Sequence, residues 1–202
     1  LKLQYSYYLN EDVLFLAKDL LGKVLFTQID GEITAGIIIE TEAYFGIKDK
    51  ASHAYGNRRT NRTEIMYSDG GVSYVYLCYG IHSMFNIVTS VKDDPHAILI
   101  RAVQPLIGAE IMEHRRNMSV TKPAISSGPG SVAKALGINL SFNKKDLGGE
   151  EIWIEDQNIK YNEDAIAAVP RVGIAYAEEH ALLPWRFFVK GNKYVSKPNK
   201  NY

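Results

Sequence analysis

A chain of 202 residues that is 46% hydrophobic and 23% charged lies in the ordinary globular range and can bury a core without disulfide or metal staples. Its 23 basic residues equal its 23 acidic ones, which excludes a global field for nucleic acid and leaves any such contact to a local patch. The single cysteine, Cys78, excludes an internal disulfide, and no apolar run approaches a membrane span or a signal peptide. This fits a reducing compartment, with the cytoplasm expected, associated with the nucleoid in a bacterium, or the nucleus in a eukaryotic cell.

In chain order, Asn10 is placed to cap a helix over 11–21, with Glu11 and Asp12 in its first turn and Gly22 as its stop. Val13, Leu16, Ala17, Leu20 and Leu21 share one face of it. Residues 23–29 read as a strand, and Asp30-Gly31 is a strong hairpin signal leading into a second strand over 32–44. Ile37, Ile38 and Ile39 run without alternation, so that strand is expected to be covered on both faces. Residues 45–71 have no clear periodicity, and a loop that long is usually functional or disordered. Residues 72–79 and 81–90 form a tyrosine-rich ribbon with Tyr79-Gly80 near its tip. A strand over 97–103, a helix over 106–116 and a short helix over 131–136 ending at Gly137 follow. Strand pieces are expected at 151–155, 171–174 and 185–189, and a loose polar tail from Lys190. There is no internal repeat, linker or low-complexity tract, so residues 1–202 read as one mixed α/β domain.

Chemistry gathers between residues 37 and 89. Glu40 and Glu42 lie two apart on one strand and so face the same way; alternation cannot choose between a catalytic carboxylate and a solvated strand end. His53 precedes a run holding Arg58, Arg59 and Arg62, readable as a phosphate grip or as a solvated loop. Tyr74 and Tyr76 share a face of the ribbon, and Tyr79 beside Gly80 is hard to explain by packing. An aromatic at a ribbon tip can wedge between bases, and flipped bases stack well on tyrosine. Metal-ligand spacing is absent. Gly128-Pro129-Gly130 before a short helix reads equally as an anion-binding start or as a plain turn.

In order along nearly the whole chain, several segments resemble one family, the alkyladenine (3-methylpurine) DNA glycosylases. They are Glu40-Thr41-Glu42-Ala43-Tyr44, His53, Tyr76-Leu77-Cys78-Tyr79-Gly80, Asn86, Leu99-Ile100-Arg101-Ala102, Gly128-Pro129-Gly130, Pro170-Arg171-Val172-Gly173 and Pro184-Trp185-Arg186-Phe187. The resemblance implies an α+β fold around a curved antiparallel sheet, with a protruding β-ribbon that enters DNA. It also implies a monofunctional base-excision enzyme acting without metal or cofactor, as a monomer, on double-stranded DNA containing damaged purines.

Residue by residue, Glu42 matches the group that activates water, and Arg101 and the Val172 carbonyl match groups that help to hold it. Tyr44, His53 and Tyr76 match the walls of a base pocket, with the His53 main chain and ring facing the purine edge. Asn86 matches a residue that disfavours the amine of guanine, and Tyr79 the side chain that fills the gap left by a flipped nucleotide. The chain departs from the family pattern at Ser131-Val132, where Lys-Leu is usual, and at His82 and Met84. The competing classes are a non-catalytic damaged-DNA-binding module and a carboxylate hydrolase acting on a small nucleoside.

Overall fold

The computed structural model describes residues 1–198. Four short α-helices, α1 (Tyr5–Tyr8), α2 (Val13–Asp19), α3 (Ala109–Arg116) and α4 (Pro129–Leu136), pack around a much larger sheet. Its strands are β1 (Val24–Ile29), β2 (Glu32–Tyr44), β3 (Ser73–Cys78), β4 (His82–Thr89), β5 (His96–Ile107), β6 (Ile152–Glu155), β7 (Ile166–Val169) and β8 (Arg186–Val189). All pairings are antiparallel, in the order β3-β4-β5-β2-β1-β6, and the sheet curls into a half-barrel: the expected α+β class.

The 13-residue β2 is the axis of this arrangement. One edge pairs with β5 from Ala35 to Tyr44, while the other pairs first with β1 and then, at Glu40–Glu42, with β8. Ile37, Ile38 and Ile39 are buried, as their unalternating run predicts. Both hairpins turn on a pair of residues with positive φ: Asp30-Gly31 is the whole two-residue loop between Ile29 and Glu32, while Tyr79-Gly80 opens a three-residue loop, 79–81, between Cys78 and His82. Left-handed backbone is ordinary for glycine but costs a tyrosine about 1 kcal/mol or more. Tyr79 is nevertheless held there, on the tip, 93% exposed.

Several local expectations are corrected. The first long helix starts at Val13, because the Asp12 side chain, not Asn10, accepts from the Phe15 amide; Asn10 accepts instead from the Asp12 amide. Leu106 and Ile107 extend β5 rather than opening α3, which starts after the left-handed Gly108. Residues 171–174 are loop; the strand preceding them is Ile166–Val169. For the 45–71 segment, where a functional and a disordered loop were both open, the second falls away: it contains three short 3-10 turns and buries Ala51, Ala54, Met66 and Tyr67. The segment from Lys190 is not loose either, since Tyr194, Val195 and Ser196 are buried; its last four residues, 199–202, lie outside those described.

Candidate active site

The buried end of β2 supplies two carboxylates, and their partners separate what sequence alternation cannot. Ile39 on β2 and Arg101 on β5 are unopposed in the ladder, a pair of bulges that re-aims side chains beside the glutamates. Glu40 Oε1 accepts from Arg101 Nε (2.9 Å), Arg186 Nε (2.8 Å) and Ser196 Oγ (2.7 Å), and its Oε2 from the Ser196 amide (2.7 Å). It is closed off by the C-terminal segment. Glu42 lines a cavity of about 440 Å³. Its Oε2 accepts from the Tyr44 hydroxyl (2.7 Å) and its Oε1 from the Val172 amide (2.8 Å), with Arg101 Nη1 3.4 Å away. An ionised carboxylate offers about four lone-pair positions, so Glu42 keeps capacity for a water on the cavity side.

The cavity walls come from β2, the β3–β4 ribbon, β5, the 45–71 segment and the loop after β7. Tyr44, His53, Tyr76, Asn86, Arg101, Val172 and the base of Tyr79 all line it, so every residue singled out by the resemblance is brought together. The His53 ring meets Tyr76 edge-on at 4.8 Å, and Tyr74 lies 5.3 Å from Tyr76. Asn86 is buried, and both its amide hydrogens are used by the Tyr74 and Met84 carbonyls (3.1 and 3.3 Å). Its Oδ1, with no protein donor among the described residues, is left as an acceptor. For Val172 it is the amide, turned to Glu42, whose contact is defined.

Electrostatics follow burial. Desolvation, then the Glu42 charge, pushes the Tyr44 phenol well above its ordinary range, so it stays a donor. Burial first, then the Arg62 and Arg58 charges, lowers His53 to about 4, leaving a neutral ring. Arg101 is raised: desolvation opposes its charge, but Glu42 and Glu40 more than compensate.

Behind Tyr44 sits a support that sequence reading does not assign. Arg171 donates to both oxygens of buried Asp49 and to the Ala43 carbonyl, and stacks at 4.8 Å on Tyr44 and 5.0 Å on Trp185. It thereby fixes the wall and the neighbouring Val172 amide together. The arginine-rich loop divides: Arg59 is bound to Glu64 and Asp93 and stacks on Tyr67, so it is no free phosphate grip. Arg62 instead turns into the cavity and lies over Tyr76 at 4.8 Å. Tyr74 and Arg62 are among the cavity residues that the sequence did not assign to a pocket; the Tyr74-x-Tyr76 alternation was the available signal for the first. Ser131 Oγ is engaged by Arg116 Nη2 (3.1 Å). Among the described residues, no group of three or more His, Cys, Asp or Glu side chains could hold a metal ion, and no helix is long and apolar enough to cross a membrane.

A buried carboxylate thus lies at the foot of an aromatic cavity, beside a ribbon with an exposed tyrosine at its tip. The methylpurine-DNA glycosylase family model matches residues 7–193, and the chain belongs to that family: it is a DNA glycosylase of DNA repair. Its bacterial relatives are provisionally named 3-methyladenine DNA glycosylases. The one from Chlamydia felis is 49% identical over 93% of this chain and 96% of its own. Those from Desulfitobacterium hafniense and Borrelia garinii are each 43% identical, over 93% and 95% of this chain and 95% and 98% of theirs.

Proposed function

We propose that the chain, as one catalytic domain and a monomer in the cytoplasm, flips alkylated or deaminated purines out of duplex DNA and hydrolyses their N-glycosidic bond. The observation that carries this reading is Glu42, buried yet open to a cavity walled by Tyr44, His53 and Tyr76. A base stacked in duplex is out of reach of such a carboxylate and must leave the stack, at a cost of a few kcal/mol. Tyr79, exposed on the three-residue loop at the ribbon tip, enters the duplex and fills the vacated space. The aromatic walls then hold the purine; a cationic methylated base gains about 0.5–2 kcal/mol from their π faces.

Water held at Glu42, with Arg101 and Val172 beside it, attacks C1′ of the sugar. The new O–C1′ bond forms as the C1′–N bond breaks. The electron pair leaves with the purine, which departs neutral if it was a methylated cation and takes a proton from solvent if it was a neutral deaminated base, and the water proton passes to Glu42. A positioned base of this kind contributes about 10²–10⁴-fold. Incubation with a methylated duplex, then alkali, should give strand breaks at the methylated purines. Intact strands would replace this reading with a damage-binding module. Tyr79→Ala should weaken binding to lesion duplex by about 1–3 kcal/mol; unchanged affinity in a gel-shift titration removes the wedge.

A further inference from the structure

Arginine can donate hydrogen bonds but never accept them. Arg62 Nη2 lies 3.4 Å from His53 Nε2, and so requires a lone pair on that nitrogen. In a neutral imidazole the proton is then on Nδ1, which faces the Tyr74 hydroxyl at 2.8 Å and must donate to it. Arg62 Nε donates to the same hydroxyl at 3.3 Å. Both lone pairs of the Tyr74 oxygen are thus engaged, and its own proton has no acceptor among the described residues. Tyr74 is 2% exposed and lines the cavity. A buried donor without an acceptor is costly, so this proton needs one from whatever occupies the cavity.

We propose that Arg62 is a positioning residue which, through the tautomer of His53, turns the Tyr74 hydroxyl toward the cavity as a hydrogen-bond donor to a ring-nitrogen or carbonyl acceptor on the purine edge. The proposal rests on the base-pocket reading of the cavity. The groups facing His53 agree with it: burial and the charges of Arg62 and Arg58 keep the ring neutral, and burial keeps the Tyr74 phenol protonated. Both ring nitrogens of His53 are engaged by protein, so the ring offers the purine its face rather than its edge. Removing Arg62 frees Nε2 to carry the proton; the Tyr74 hydroxyl can then turn to Nδ1, away from the ligand.

The test has two arms. In the free ¹⁵N-labelled protein, the imidazole nitrogen shifts of His53 should report the Nδ1–H tautomer, and Arg62→Met should shift the population toward Nε2–H. Wild-type protein in the Nε2–H form would overturn the proposal, whatever the enzyme does to DNA. In the second arm, binding of a 7-methylguanine duplex is measured in a Glu42→Gln background. Tyr74→Phe and Arg62→Met should each weaken it roughly three- to tenfold, and the double variant should be no weaker than either. Losses that multiply would mean the two residues act separately, and the link through His53 would be wrong. Wild-type protein that leaves the same duplex uncut contradicts the proposed function, while the tautomer arm still decides the Arg62–His53–Tyr74 link.

Discussion

Glu40 and Glu42 are the same residue type, two positions apart on one strand, facing one side and fully buried. Glu40 meets two guanidinium groups, a hydroxyl and an amide, and is sealed beneath Ser196. Glu42 meets a phenol and an amide closely and one guanidinium at 3.4 Å, with the cavity on its open side. Arg101 touches both and ties the sealed carboxylate to the open one. A buried charge surrounded by donors serves structure; one left short of donors toward a cavity has capacity for chemistry. The number and placement of partners, not burial or strand position, makes the difference.

The comparison can be broken most sharply at Glu42. Glu42→Gln should lower single-turnover excision by about 10²–10⁴-fold while lesion binding persists; an unchanged rate would remove the catalytic role. Glu40→Gln should act the other way. It leaves Arg101 and Arg186 without their shared carboxylate, and losing one partner of a buried ion pair costs about 3–5 kcal/mol, read as a drop in urea unfolding free energy. A stable but inactive Glu40→Gln protein would exchange the roles of the two residues.

The open side also carries a titration. His53 is held at about 4 against an ordinary 6.5, by burial and then by Arg62 and Arg58. Between those values the unfolded chain binds a proton that the folded one lacks. Stability should therefore fall as pH drops through that window and level off near its lower end, by about 2 kcal/mol once partial exposure is allowed for. His96 is also lowered by burial and adds to the slope, so the informative quantity is its flattening in His53→Gln, from unfolding curves at several pH values. The smallest effects come from single donors. Ser196→Ala should cost about 1–2 kcal/mol of stability, and Tyr44→Phe should slow excision several-fold with little change in stability. The reverse pattern would mean that Glu42, not Glu40, is the structural carboxylate.

Local pattern determined much of this protein. The Asp30-Gly31 and Tyr79-Gly80 turns, the full span of β2 and the buried isoleucine run follow from turn chemistry and periodicity, which act over a few residues. The family motifs marked Glu42, Tyr44, His53, Tyr76, Tyr79, Asn86, Arg101 and Val172 as a set, and all of them meet at one cavity. What the sequence could not decide was which groups face each other across long separations. Glu40 is closed by Ser196, which is 156 residues away, Tyr44 is backed by Arg171, and Arg62 reaches His53 and Tyr74 from a loop with no periodicity. The same cause made the segment from Lys190 look loose, although Ser196 is held against Glu40 on β2, and it left residues 45–71 open between a functional and a disordered loop. Hydrogen-bond capacity and charge are local properties of a side chain, but whether they are filled depends on tertiary neighbours, and at β2 that alone separates the closed glutamate, Glu40, from Glu42, which faces the cavity.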